Sequence, residues 1–322
     1  MIRSNWNKRG QRLALLAATT ALLMAASMAL TVGTAVAGVI IVKSDDLPQY
    51  TPPATAFRQA SKRESVEVVL RSRLDQGDSE FLKQAASTMQ PSAVFALGSR
   101  AAIAAREAFP ETPLVFAMSL GWSRNITTDG ATTGVSVELP TADLFVRFKL
   151  IIPGLHRIGL ITSDSNSDTV DEARAAASGL GLEILHETVG HHDEVAGAYR
   201  RMRSRIDALW MVPDPVVVTR ENFDYLSTRC RNDGVAFLAF SENFVKAGAL
   251  LSVAPSYSTM GSQAALLVEQ LITDPNNVPP VQSPLGAKLV VNADTAMALG
   301  LDLNATTIHM ADRVITPTRE DF

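Results

Sequence analysis

Six short polar clusters in this chain carry residue types able to hold a small molecule, and each follows an apolar run. Ser44 follows VIIVK, Gly98-Ser99-Arg100 follows AVFAL, and Ser119 follows LVFAM, with Trp122 three residues on. Ser165 and Asn166 lie in the turn after RIGLIT, Asp214 follows ALWMV, and Ser241-Glu242 follows AFLAF. An apolar run ending in Gly-Ser before an Ala-rich helical stretch exposes unpaired backbone N–H groups. The helix dipole adds partial positive charge there. Gly98, Ser99 and the following N–H groups are therefore expected to hold a carboxylate or small anion, with Arg100 nearby.

The other clusters supply complementary chemistry. Asp214 and Glu242 could bind an amine or hydroxyl, Ser44, Ser119, Ser165 and Asn166 offer hydroxyls and an amide, and Trp122 could stack on a flat ligand. Each has a plainer reading: Ser99 and Asp214 as helix caps, Trp122 as a loop anchor, Glu242 as half of a hinge salt bridge. On the ligand reading, Ser99→Ala and Asp214→Ala weaken binding while leaving the stability of the empty protein nearly unchanged. His191-His192-Asp193 lacks metal-ligand spacing and is expected to be a solvated turn, with Asp193 capping the next helix. No metal or cofactor is implied.

Catalysis is not supported by pattern. The chain lacks a G-x-G-x-x-G loop after a strand and a G-x-S-x-G elbow, and its carboxylates and histidines show no catalytic spacing. Cys230, the single cysteine, has no recognisable partner histidine and can form no intramolecular disulfide. The expectation is a binding protein, not an enzyme.

The elements that position these clusters repeat. Apolar runs begin near residues 39, 66 and 93, a spacing of about 27 that fits βα units, with a further run at 114. A second series begins near 157, 183, 208 and 236. Two such series imply an α/β protein of two doubly wound, Rossmann-like parallel-sheet lobes, whose clusters sit at the carboxyl ends of strands. The chain is expected to cross between lobes near Leu139-Pro140, residues 241–244 and residues 279–284, forming a multi-strand hinge. That divides it into a first lobe of residues 38–138 and 244–278 and a second of residues 139–243 and 279–322. A helix at residues 55–61 is expected after the Pro52-Pro53 break, and another at 216–231.

Residues 1–37 stand apart. Arg3, Lys8, Arg9 and Arg12 precede an apolar stretch, and Ala35-Val36-Ala37 supplies small residues for cleavage. The reading is a signal peptide and a periplasmic mature chain, with a retained membrane anchor as the alternative. Without those four basic residues the balance is 25 basic to 33 acidic, a net of −8. That excess of negative charge argues against a nucleic-acid partner. The 47% hydrophobic and 19% charged composition fits a folded protein with a sizeable core.

An ordered set of segments then carries a resemblance. AVFALGSRAA, PLVFAM, TGVSVELP, IPGLHRIGLITSDSNS, ALWMVPDPVV, FSENFVKAGALLSVAPSYSTMGSQAA and LVVNADTAMALGL are similar to the ABC-transporter substrate-binding family that includes tryptophan and other amino-acid binders. The resemblance spans about residues 39–303. It implies a type I periplasmic binding fold, a monomer that closes on a small-molecule ligand, and delivery to ABC permease subunits in the membrane. A ligand-sensing domain serving a receptor or kinase is the alternative it leaves. Many family members carry an Asp-Pro pair after the fourth strand, where this chain has Ser119-Leu120-Gly121-Trp122.

Overall fold

A computed structural model describes residues 38–70, 77–87, 89–128, 131–303 and 305–316. The expected signal segment, residues 1–37, lies outside the described residues. No helix among those described is long and apolar enough to cross a membrane.

The first sheet holds β1 (Val39–Lys43), β2 (Ser65–Val69), β3 (Ala93–Leu97), β4 (Leu114–Ala117) and β5 (Thr132–Val135), all parallel, in the order β2-β1-β3-β4-β5. Its central strands are apolar apart from Lys43 at the end of β1, because helices cover both faces. Alternation along each strand sorts the side chains. Val39, Ile41, Phe95 and Leu97 pack toward helices Thr51–Ala60 and Tyr257–Thr273. Ile40, Val42, Val94 and Ala96 pack toward helices Asp78–Ala85 and Ser99–Ala108. A Cβ on Gly261 would lie 2.1 Å from the Pro53 carbonyl oxygen, so glycine there lets the two helices on one face approach closely.

The second sheet holds β6 (Arg157–Thr162), β7 (Glu183–Thr188), β8 (Ala208–Trp210), β9 (Ala236–Ala239), β10 (Leu251–Pro255), β11 (Ala287–Asn292) and β12 (Arg313–Ile315). Their order is β12-β11-β10-β9-β8-β6-β7, with β11 antiparallel to β10. Helices Thr141–Ile151 and Ser167–Ser178 cover one face, where Trp210 meets Phe145 edge-on at 5.3 Å. Helices Val195–Met202 and Arg220–Asp233 cover the other.

Three expectations need correction. Residues 244–255 belong to the second lobe: Leu251 and Ser252 pair with Leu238 and Ala239, and all five β10 residues pair with β11. The ladder hydrogen bonds of β10 are satisfied inside that sheet, so the crossing comes after Pro255. The helix expected at 55–61 starts at Thr51, because Pro52 and Pro53 fall in its first turn, where a missing N–H costs nothing. The helix expected at 216–231 starts at Arg220, where the Thr219 side chain accepts the Asn222 N–H.

The chain passes between sheets at residues 136–140, 255–256 and 282–286. Ser136 donates its N–H to the Gln282 carbonyl and Gln282 donates back to Gly134, at 2.8 and 2.9 Å. The buried Gln263 side chain donates to the Ser283 carbonyl at 3.1 Å and accepts from the Leu285 N–H at 2.9 Å. Ser256 N–H reaches the Gly286 carbonyl at 2.9 Å. The crossings therefore lie side by side. They join the carboxyl end of β5 to a region beside the end of β10 and the start of β11, so the carboxyl edges of both sheets flank one hinge.

Candidate functional site

On the first lobe the turn after β3 is built around Gly98. Its φ of 93° and ψ of 158° fall in a region essentially restricted to glycine. A Cβ there would lie 2.4 Å from Ser44 Oγ and 2.7 Å from Tyr50 Oη. Ser44 is packed into this space because it caps the next helix: its Oγ accepts the Ala101 N–H at 3.0 Å. Ser99 makes no side-chain cap. Ser99 is the first residue of that helix, two residues past the end of β3.

Beside this turn, β4 ends in a strained step. Met118 has φ of 59°, unusual for a residue with a side chain. The step delivers Ser119, which is 1% exposed and whose Oγ has no hydrogen-bond partner. Leaving a buried hydroxyl unpaired costs about 1–3 kcal/mol.

Two candidates on this lobe are already committed elsewhere. Arg100 holds Asp78 through two hydrogen bonds of 2.6 and 2.8 Å, bracing neighbouring helices, so its charge is compensated within the lobe. Trp122 is half-buried against Phe116, with ring centroids 5.6 Å apart, and packs into the core beside helix Ser99–Ala108. The loop-anchor reading describes it.

Sequence reasoning missed Tyr50 and Tyr257. Tyr50 Oη packs against Gly98, and Tyr257 opens the helix that follows the second crossing. Burial, with Tyr50 adding to it, raises the Tyr257 hydroxyl above the ordinary tyrosine value. The only signal in the sequence was their place beside turns, at Pro48 and Ser256.

On the second lobe Asp214 organises the edge. It is 2% exposed. Oδ2 accepts from the Ser163 N–H at 2.7 Å, the Ser163 hydroxyl at 3.0 Å and the Asn166 amide at 2.7 Å. Oδ1 accepts from the N–H groups of Val216 and Val217 at 2.9 and 3.1 Å. Burial alone would raise its pKa, but these donors outweigh it and hold the carboxyl below its usual range. The expectation of a free strand-end carboxylate is thus corrected: Asp214 clamps the turn after β6 to the turn after β8. Asn166 is spent on this clamp, while exposed Ser165 shares a hydrogen bond with Ser163 at 2.7 Å.

Glu242 is likewise committed. It pairs with Lys246, Lys288 and Arg313 at 3.1, 2.7 and 2.6 Å. Led by Lys288, these cations hold its pKa at about 2. All four groups lie in the second lobe, so in this arrangement the carboxylate is already compensated there. Ser241 precedes the short helix Glu242–Lys246 without capping it through its side chain. Asp193 does not cap the following helix either; its carboxylate faces both neighbouring imidazoles.

What remains available is a pair of facing edges. The first carries the turn that opens the helix at Ser99, with the buried Ser119 Oγ beside it. The second offers Ser165 and the turn held by Asp214. This is a type I periplasmic binding protein architecture, with two parallel-sheet lobes of five and seven strands about a common hinge.

The comparisons narrow the class. Residues 61–315 match the family described as ABC transporter substrate binding protein, and the chain belongs to it. Among solved structures it is similar to an ABC domain in complex with L-Trp from Streptococcus pneumonia, at 21% identity and TM-score 0.58, covering 87% of this chain and 99% of that one. It is also similar to CD0873 from Clostridium difficile, a substrate binding protein with adhesive properties in its ligand-free, open structure. That match has 18% identity and TM-score 0.72, covering 88% and 100% of the two chains. A periplasmic ribose ABC transporter structure from Conexibacter woesei matches at 14% identity and TM-score 0.55, covering 80% and 94%. Such identities establish the fold. A search of curated proteins gives no match.

Proposed function

We propose that the mature chain is the exported solute-binding component of an ABC importer. It captures a small polar ligand, an amino acid or a small carboxylate, between its lobes and presents the closed form to the permease. The observation that carries this is the first-lobe edge, where a strained β4 end holds a buried, unpartnered Ser119 Oγ. Beside it Gly98 turns the chain into the helix that begins at Ser99. A polar group of a ligand would pair the Ser119 hydroxyl, with no chemical step.

The arrangement described is read as the open state. Among the described residues, no hydrogen bond or ion pair joins Ser99 or Ser119 to Ser163, Ser165 or Asp214. The higher TM-score with the ligand-free, open structure supports the same reading. A ligand touching both edges would shift the population toward a closed form.

The test is thermal denaturation of the mature protein against amino acids and small carboxylates. A specific ligand at 100 times its Kd should add about 2.7 kcal/mol of stability. Absence of any stabilising compound in that set, or turnover of one that binds, would refute the proposal.

A further inference from the structure

The turn between β7 and helix Val195–Met202 gathers His191, His192 and Asp193. Their potential metal-donor atoms all lie within 4.8 Å of one another. His191 Nδ1 is 3.2 Å from Asp193 Oδ2, and His192 Nδ1 is 2.9 Å from Asp193 Oδ1. The two rings sit with centroids 4.2 Å apart. Donors bound at about 2.1 Å to one tetrahedral ion stand roughly 3.4 Å apart, so the set, with one atom from each residue and all within 4.8 Å, reaches a zinc-like ion by small side-chain rotations. Two imidazoles and a carboxylate suit Zn²⁺ and its neighbours rather than Mg²⁺ or Ca²⁺.

The turn is held from beneath. Asn222, 6% exposed, donates its side-chain amide to the His192 carbonyl at 3.1 Å and to the Val217 carbonyl at 3.1 Å. Val217 N–H in turn reaches Asp214. Glu194 Oε2 accepts the Gly190 N–H at 2.9 Å, and the Glu194 N–H reaches the His191 carbonyl at 3.1 Å. A run of contacts therefore links the histidine pair to the Asp214 clamp. The turn also lies at the carboxyl edge of the second sheet, as the clamp does.

We propose that His191, His192 and Asp193 bind one divalent transition-metal ion at this edge. With three protein donors in an exposed turn, the ion keeps positions open to water or to a group brought by a ligand or partner.

The experiment is calorimetric titration of the untagged mature protein with ZnCl₂, and a Co²⁺ titration followed by visible absorption. The expected result is one ion per chain, with a Co²⁺ spectrum typical of mixed nitrogen and oxygen ligands. H191A/H192A should weaken binding at least about 10-fold, and D193N should weaken it measurably. His156→Ala, at an exposed histidine outside the turn, should leave it unchanged. The altered side chains are exposed, so circular dichroism should show every variant folded. No saturable binding, or binding that H191A/H192A does not weaken, overturns the proposal.

Discussion

Asp214→Asn separates a clamp from a ligand contact. The wild-type carboxylate accepts five hydrogen bonds while 2% exposed. An asparagine keeps one acceptor oxygen. With its oxygen placed toward Ser163 and Asn166, its amide group faces the N–H groups of Val216 and Val217. Two hydrogen bonds to a charged group are then lost, each worth about 1.5–3 kcal/mol, and the remaining three lose their charge assistance. We expect a loss of about 3–5 kcal/mol, which at roughly 2–4 °C per kcal/mol lowers Tm by about 6–20 °C. Urea unfolding at pH 7, followed by tryptophan fluorescence, measures it. Because the folded-state pKa lies below the ordinary 3.8, the wild-type advantage is complete above that value and fades as pH falls through the folded pKa. The variant should therefore converge on wild type in acid. Unchanged stability with abolished ligand binding would refute the clamp and restore Asp214 as a ligand contact.

Three further outcomes follow from the same geometry. Gly98→Ala forces a Cβ to 2.4 Å from Ser44 Oγ in a glycine-only conformation, and should cost about 2–4 kcal/mol in urea unfolding and weaken binding; an unperturbed variant would contradict the turn described. Ser119→Ala removes a hydroxyl with no protein partner, so stability should stay within about 1 kcal/mol or rise, while ligand affinity drops about 2–12-fold by calorimetry; a large loss of stability would show the hydroxyl to be structural. Glu242→Gln removes the anion shared by three partly exposed cations and should cost about 1 kcal/mol at low salt and less in 1 M NaCl. With the Glu242 pKa at about 2, wild type should lose that advantage as pH falls from 4.5 through 2, and a difference undiminished at pH 2 would speak against the cluster.

Strand positions were legible because buried parallel strands are short, largely apolar runs. VIIVK, AVFAL and LVFA could hardly be anything else between polar turns. Which sheet a run joins was not legible. LSVAP would suit either lobe, and only its pairing with β9 and β11 decides. The site divides in the same way. Gly98 was readable because a glycine between a strand and a helix has few other uses. The commitments of Arg100, Asp214 and Glu242 were not fully so, because the partners that complete them lie far along the chain. Asp78 is 22 residues from Arg100, Ser163 is 51 from Asp214, and Arg313 is 71 from Glu242. A charged residue at a strand end looks free until the fold brings its counterpart. Trp122 misled for a related reason, since its packing partner Phe116 sits on a strand that local pattern could not aim toward it.

Small-angle X-ray scattering of the mature protein, empty and saturated with the best compound from the thermal screen, tests most directly whether a ligand draws the two lobes together. The account predicts a smaller radius of gyration and a more compact distance distribution on saturation. A ligand that saturates the protein and leaves the scattering curve unchanged would contradict it.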